Sequence, residues 1–276
     1  KSIDATGTFE ATEIIVSSEV NGEILKFDII EGDTIKAGFV IGFTDTIQLH
    51  LQKMRLLASN TSLQSRKQDI PKQIAVIKQQ IDNLLIEKSR FEKLVELKAG
   101  NVKQLDDINA QLAFLNKQLT AQQSTLENSN KSIVKESDAV SIQIAQIDDQ
   151  ISKCYIKSPI DGSVLSKYCE AGELAYQGKP LFKVADLHNM ILRAYVGTGM
   201  LSGVKAGQKV KVLTDSSNGK YKEYEGVITW ISSKAEFTPK TIQTKDEREN
   251  LVYAVKILVK NDGFLRIGMY ADVKFQ

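Results

Sequence analysis

About thirty residues of this chain occur twice, and that repetition limits the fold more than any other feature. Moving Val16 onto Ile156, a shift of 140 residues, aligns VSSEVNGEILKFDIIEGDTIKAGFVIGFTD with IKSPIDGSVLSKYCEAGELAYQGKPLFKVA without a gap. Gly22 falls on Gly162, Gly32 on Gly172 and Gly38 on Gly178, each flanked by apolar strand-type residues. Matched glycines imply one backbone path made twice, because glycine marks turns that need a positive φ. Asn21-Gly22 and Asp161-Gly162 are both tight-turn dipeptides. Copies this short cannot each bury a core, so the economical fold joins them as halves of one small β sandwich.

What separates the halves is of another kind. Between Ile47 and Ser152 there is one glycine (Gly100), one proline (Pro71) and two aromatics (Phe91 and Phe114), whereas the flanks hold 16 of the 17 glycines. A stretch so poor in breakers and rich in Gln, Lys, Leu and Ile reads as long helix. Ile70, Ile74, Ile77, Ile81, Leu84, Lys88, Phe91 and Val95 alternate steps of four and three, the seam of a coiled coil with Lys88 its misfit. The rhythm returns at Leu105, Ile108, Leu112, Leu115, Leu119, Gln122 and Leu126, then at Val140, Ile144, Ile147 and Ile151. Ile47, Leu51, Met54 and Ala58 keep it at the start.

Two arms of about 50 residues, parted at Ala99-Gly100-Asn101, bury their seams by folding back as an antiparallel hairpin. Continuous helix would carry each arm about 75–80 Å. Pro71 lacks an N–H and disfavours helix at Ile70, with Asp69 as N-cap, so the first arm breaks near 69–71. The heptads fade over 129–137, which predicts a break in the return arm at the same height and two stacked helix pairs.

Charge excludes some functions. With 36 Lys and Arg against 34 Asp and Glu, the net charge of +2 lacks the basic footprint of a nucleic-acid binder. No apolar run approaches a membrane span, and the chain opens at Lys1, so a signal peptide or anchor is expected upstream or removed. The last third alternates in polarity over Met190–Val196, Gln208–Leu213, Tyr224–Ile231, Leu251–Val259 and Met269–Phe275, the pattern of a small β-barrel, with a long polar loop over Lys234–Asn250.

The repeat, of the form G-x-(apolar)…G-(acidic)…G, resembles a lipoyl or biotinyl domain whose lysine-bearing hairpin is replaced by helices. A lipoyl domain split by an α-helical hairpin and followed by a β-barrel is similar, over nearly the whole chain, to the periplasmic adaptors, also called membrane fusion or HlyD-type proteins. AEFTPKTIQTKDERENLVYAVKI from Ala235 and LRIGMYADVKF from Leu265 resemble the adaptors of ABC-type exporters. The resemblance implies a multidomain α+β fold: a strand from residues 1–10 at the barrel end, lipoyl half-motifs over 11–46 and 153–187, the hairpin over 47–152 with its tip near 98–103, and the barrel over 188–276. It also implies a periplasmic, inner-membrane-anchored protein that is no enzyme and needs no cofactor. Its partners would be an inner-membrane transporter, a TolC-like outer-membrane channel and further copies of itself in a hexamer.

Such adaptors carry at the tip an Arg, a Leu seven residues on and a Ser or Thr four beyond. Here Arg90 and Leu97 fit and Asn101 departs from the pattern while keeping a short hydrogen-bonding side chain. Without the resemblance, Arg90 reads as solvated flank and Leu97 as seam. A type I secretion adaptor or RND-pump adaptor shares these features. A lipoyl carrier would need an exposed lysine hairpin where the helices stand, and a coiled-coil scaffold would need no tip contact.

Few other residues suggest chemistry. Cys154 and Cys169 match no zinc or redox spacing. Counting back from an Asp161-Gly162 turn sets them opposite each other, so a disulfide competes with two buried thiols. His50 and His188 lack a Ser, Cys or carboxylate at catalytic or ligand spacing, and Asp106-Asp107 and Asp148-Asp149 are helical neighbours on different faces.

Overall fold

The computed structural model describes residues 3–216, 220–237 and 251–275, so positions 238–250 of the polar loop lie outside the described residues. Two compact units form, one from Lys1–Asp45 with Lys153–Gln276 and one from Thr46–Ser152.

The first unit is β apart from one 3₁₀ turn at Leu201–Gly203. It opens with β1 (Ala5–Ser17), β2 (Gly22–Phe27), β3 (Thr34–Ile35) and β4 (Val40–Thr44), and resumes with β5 (Tyr155–Lys157), β6 (Gly162–Lys167), β7 (Leu174–Ala175) and β8 (Pro180–Gly197). One sheet of the sandwich runs β5-β4-β2-β7 and the other β1-β8-β6-β3. A shift of 140 residues turns one order into the other, with β3 and β7 exchanged, so each half lends a short strand to the other's sheet. The core obeys the same shift: Ile24, Ile29, Ile35 and Ile41 meet Val164, Cys169, Ala175 and Leu181.

Hydrogen bonds cross between the halves in matched pairs. The N–H of Gly32 donates to Val164 O at 2.8 Å and that of Gly172 to Ile24 O at 2.7 Å. Gly38 N–H donates to Ser158 O and Gly178 N–H to Ser18 O, both at 2.8 Å. Asn21 Oδ1 accepts from the Gln177 N–H at 2.9 Å, and Asp161 Oδ1 from the Ala37 N–H at 2.7 Å. Asn21 and Asp161 thus cap turns of the opposite half.

That corrects part of the turn reading. Gly32, Gly38, Gly172 and Gly178 have positive φ, whereas Gly22 and Gly162 do not and instead begin β2 and β6. Gly162 is there because a Cβ would stand 2.4 Å from the Ala185 carbonyl oxygen; at Gly22 the nearest atom would be Thr44 Cβ at 3.6 Å. The cysteines are likewise not opposed. β5 pairs with β4, and β6 with β8 and β3, so the simple hairpin between them does not form. Both thiols are buried and no disulfide joins them.

β1 and β8 run on into a barrel with β9 (Lys209–Ser216), β10 (Lys220–Ile231), β12 (Leu251–Lys260) and β13 (Tyr270–Phe275), and the two-residue β11 (Glu236–Phe237) pairs at its margin. The order β12-β10-β9-β13-β1-β8 closes through β8 and β12 into six strands. Inward residues alternate along each strand: Met190, Leu192, Ala194 and Val196 of β8 are completely buried with Val212, Ile257 and Val273. Where β1 and β8 pass from sandwich to barrel, their register jumps from Thr12 opposite Asp186 to Glu10 opposite Ile191. The Asp186 carboxylate secures the jump by accepting from the His188 and Asn189 N–H groups and from Asn189 Nδ2. Burial alone would raise this carboxyl, but the hydrogen bonds from Asn189 and His188 outweigh it and hold it below the usual range.

The second unit is the hairpin: α1 (Ile47–Ser65), α2 (Ile70–Glu96) and α3 (Val102–Lys153). The α2 seam is the expected one, Ile74 and Ile81 buried and Lys88 half-buried beside Glu92 at 3.7 Å, with Ile108, Leu112 and Leu115 of α3 across it. Asp69 caps α2 by accepting from the Lys72 N–H, and Pro71 lies in its first turn.

Three expectations fail in this unit, for related reasons. The return arm has no break over 129–137, since α3 runs 52 residues unbroken. Polar seam residues account for the faded heptads. Asn130 exchanges hydrogen bonds with the Gln68 backbone at 2.8 and 2.9 Å, satisfying the first arm's break, and Ser137 donates to Asn60 Oδ1 and accepts from Gln64. The covered face of α3 steps from Leu119 to Gln123 rather than Gln122, a four-residue stutter that shifts the later heptads. In α1, Leu49, Lys53, Leu56, Asn60 and Leu63 turn inward, while Ile47, Leu51 and Met54 stay more than half exposed. Lys53 reaches Asp148 at 2.6 Å, so polar partners rather than apolar rhythm set the inward face.

The glycine environments separate two residues that the repeat equates. Gly162→Ala should destabilise the β unit by about 1–3 kcal/mol through overpacking, whereas Gly22→Ala should be neutral or stabilising by about 0.5 kcal/mol. Urea unfolding of both variants checks this, and equal losses would contradict the geometry.

Candidate functional site

The tip of the hairpin is the one place where the sequence-predicted contact residues come together. α2 ends by its own backbone chemistry. Lys98 adopts the left-handed conformation at φ 58°, its N–H donates to Val95 O at 2.9 Å, and the Ala99 N–H donates to Leu94 O at 2.9 Å. This pair of bonds is the Schellman ending, here made without glycine at the left-handed position. Gly100 serves close approach instead: a Cβ on it would stand 2.8 Å from Val95 N.

α3 then starts from Asn101, whose Oδ1 accepts from the Lys103 N–H at 3.0 Å. Ser, Thr and Asn are all strong N-caps, so the third position of the tip pattern carries a residue class that capping explains. Asn101 therefore replaces Ser or Thr without altering how the turn is held.

Between these caps the side chains face solvent. Leu97 is 76% exposed, the most exposed large apolar side chain among the described residues, with Leu94 and Val102 also open beside it. Arg90 lies seven residues before Leu97, two helical turns and about 10 Å along the same face. It is exposed, and no ion pair of the described residues engages it. A guanidinium and an apolar side chain on a rigid tip suit a contact that combines charged hydrogen bonds with buried area.

Chemistry of other kinds finds no support in the described residues. No group of three His, Cys, Asp or Glu is placed to hold a metal. His50 is exposed on α1, and His188 is exposed at the sandwich–barrel junction, where its backbone N–H serves Asp186. Asp148 is engaged by Lys53, and Asp106 and Asp107 are exposed on α3. The Cys169 thiol is pushed up, first by burial and then by the Glu173 carboxylate, so it is no activated nucleophile. Cys169 occupies the position of Ile29 in the other half, and Cys154 that of Ile14, which identifies both as core-forming side chains.

Sequence reasoning missed one polar site, the Arg193–Glu236 pair. Arg193 lies over the Tyr195 ring and donates through one nitrogen to both Glu236 carboxylate oxygens at 3.2 Å, fixing β11 at the start of the long polar loop. An isolated Arg and a Glu 43 residues apart carry no motif, so only the barrel brings them together.

Comparison with known proteins agrees with this architecture. The family described as RND MFP, barrel-sandwich hybrid domain, matches residues 12–187. The UPF0194 membrane protein of the asrC 5′ region of Acidithiobacillus ferridurans is 27% identical over 295 residues, spanning 99% of this chain and 86% of the relative. The UPF0194 membrane protein YbhG of Salmonella arizonae is 27% identical over 290 residues, spanning 98% and 87%. MacA from Actinobacillus actinomycetemcomitans has a similar fold, with a TM-score of 0.56 at 24% identity over 98% of this chain and 76% of MacA. A MacA–MexA chimera with the Pseudomonas aeruginosa MexA α-hairpin domain gives 0.57 at 23% identity, over 98% and 78%.

The caps make a local prediction. Asn101→Ala should lower hairpin stability by about 1 kcal/mol and Asn101→Ser by only a few tenths, while Lys98→Gly should raise it by about 1 kcal/mol. Thermal unfolding followed by circular dichroism measures all three, and a Ser variant as damaging as Ala would remove the capping role.

Proposed function

Since the chain belongs to the membrane fusion protein family, the non-enzymatic adaptors of efflux systems, we propose that it bridges an ABC-type inner-membrane transporter to a TolC-like outer-membrane channel and forms part of the wall of the export path. It acts in the periplasm, held at the inner membrane, and catalyses nothing. The two relatives described above are named membrane proteins, and no helix among this chain's described residues is long and apolar enough to cross a bilayer.

The observation that carries the reading is Leu97, an apolar side chain displayed at a doubly capped tip on the same face as Arg90. An isolated hairpin gains nothing from exposing an apolar side chain so fully, whereas a docking tip needs it. By this reading Arg90 and Leu97 enter a contact with the channel, and Asn101 holds the turn that presents them. A hairpin two helices thick encloses no conduit, so several copies surround one, six by resemblance. The outward stripe of Ile47, Leu51 and Met54 on α1 supports assembly, because a heptad row facing water is a surface for another helix.

The preference for an ABC-type transporter rests on the resemblance of the segments from Ala235 and Leu265. An adaptor of an RND pump is the second reading, favoured by the description of the matched family. Affinity capture of the transporter from membranes separates the two.

Arg90→Asp should abolish export while leaving thermal stability within about 0.5 kcal/mol of wild type, because the residue is exposed. Wild-type export by the stably folded variant would end the tip assignment. Asn101→Cys, crosslinked in cells, should capture an outer-membrane channel; capture of soluble proteins only would favour a scaffold.

A further inference from the structure

The two halves of the sandwich share a backbone path, but only the second carries the lysine that completes one of its turns. There Glu173 uses both carboxylate oxygens. Its Oε1 accepts from the Glu170 N–H at 3.1 Å, and its Oε2 accepts from Lys179 Nζ at 2.9 Å. The same ammonium donates to Leu174 O at 2.9 Å, and the lysine side chain is only 18% exposed. Carboxylate, carbonyl and ammonium close the surface over.

The 140-residue shift carries Glu170 onto Ile30, Glu173 onto Asp33 and Leu174 onto Thr34, but Lys179 onto Phe39. Half of the arrangement survives. Asp33 Oδ2 accepts from the Ile30 N–H at 2.9 Å, as Glu173 accepts from Glu170. Among the described residues no lysine or arginine pairs with the half-buried Asp33. In place of the lysine there is a cavity of about 530 Å³, a size usual for small-molecule sites. Besides Asp33 it is lined by Thr34, Phe39, Val40, Phe43 and Tyr155. Phe39 is 63% exposed, and the Phe43 and Tyr155 rings stand 6.2 Å apart. Phe43 also stands where the second half has a bonded lysine, Lys183, paired with Glu13 at 3.1 Å. Lys26 and Asp28 of the lining neutralise each other at 3.1 Å, which leaves the Asp33 carboxylate as the uncompensated charge.

We propose that this cavity binds an amphipathic organic amine. The ligand's ammonium takes the position that Lys179 Nζ holds in the other half, between the Asp33 carboxylate and Thr34 O. Its apolar body lies against Phe39, Phe43 and Tyr155. Charge complementarity selects the class: an anion would meet a carboxylate, and a neutral apolar molecule would cover that carboxylate without pairing it. Aromatic walls add cation–π attraction for the same sign of charge. The repeat makes the case specific, because the fold itself shows an ammonium seated at the equivalent carboxylate and carbonyl. This site goes beyond the adaptor reading and stands whether or not the chain bridges two membranes.

Dansylcadaverine, a fluorescent primary amine with an aromatic body, tests the site by titration against the full chain, followed by fluorescence anisotropy. Binding should saturate at one probe per chain, and the uncharged N-acetylated probe should bind at least tenfold more weakly. Asp33→Asn keeps an oxygen for the Ile30 N–H but removes the charge, and should also weaken binding at least tenfold. Phe39→Lys supplies the lysine of the second half. It should abolish probe binding in a protein that unfolds at no lower temperature than wild type, which separates loss of the site from loss of the fold. Absence of saturable binding would overturn the proposal, as would equal affinity for the two probes or an affinity unchanged in either variant. Self-association lost in Phe39→Lys, with no probe bound by wild type, would mean that a lysine of a second copy takes the position, and would equally overturn the small-ligand assignment.

Discussion

Neither half of the sandwich satisfies all of its turns alone. The amides of Gly32 and Gly38 reach carbonyls of the second half, and those of Gly172 and Gly178 reach carbonyls of the first. The two halves also share a single core, so neither has an interior of its own to fold around. Everything between them must therefore leave and return at neighbouring points. The Thr44 N–H donates to Cys154 O at 2.9 Å, which sets the two ends of the insertion side by side. A helical insertion whose ends are clamped together has to turn back on itself, and the hairpin is the simplest way to do so.

The hairpin solves a second problem, an interrupted helix beside a continuous one. Pro71 and the capping Asp69 stop the first arm, and the exposed backbone at Gln68 would go unpaired if α3 presented only apolar side chains there. Asn130 takes both the donor and the acceptor of Gln68, and the Asn60–Gln64–Ser137 group continues the polar layer. Polar residues in a coiled-coil seam also fix register, since shifting the helices by one heptad would leave them unpaired. The long arm thus continues unbroken past the break, and the tip it carries is held by a backbone cap after α2 and a side-chain cap before α3.

The residues of the tip were legible in the sequence only through resemblance. Spacing alone makes Arg90 a flank and Leu97 a seam residue, and periodicity cannot tell a seam residue from one just past the last turn. What separates them is where α2 stops. The left-handed Lys98 and the capping Asn101 put that stop at Leu97, just past Glu96, leaving it no partner helix. Gly100, the obvious punctuation mark, turned out to relieve a close approach rather than to supply the left-handed residue.

Sequence by itself determined the pseudo-symmetric sandwich, the helical insertion, the break at Pro71 and the closing barrel. Each follows from a signal carried by neighbouring residues: a repeated glycine spacing, the lack of breakers, a missing N–H, or alternation of polarity. Tertiary structure alone decided which stripe of α1 faces inward, whether α3 breaks, whether Gly162 and Gly22 are alike, and whether the cysteines meet. Those outcomes depend on partners 62 to 129 residues away or on the clearance of a single Cβ. A buried polar side chain looks like a gap in a heptad until its partner is in place, because hydrogen bonding can replace apolar contact at a seam and periodicity records only the apolar half.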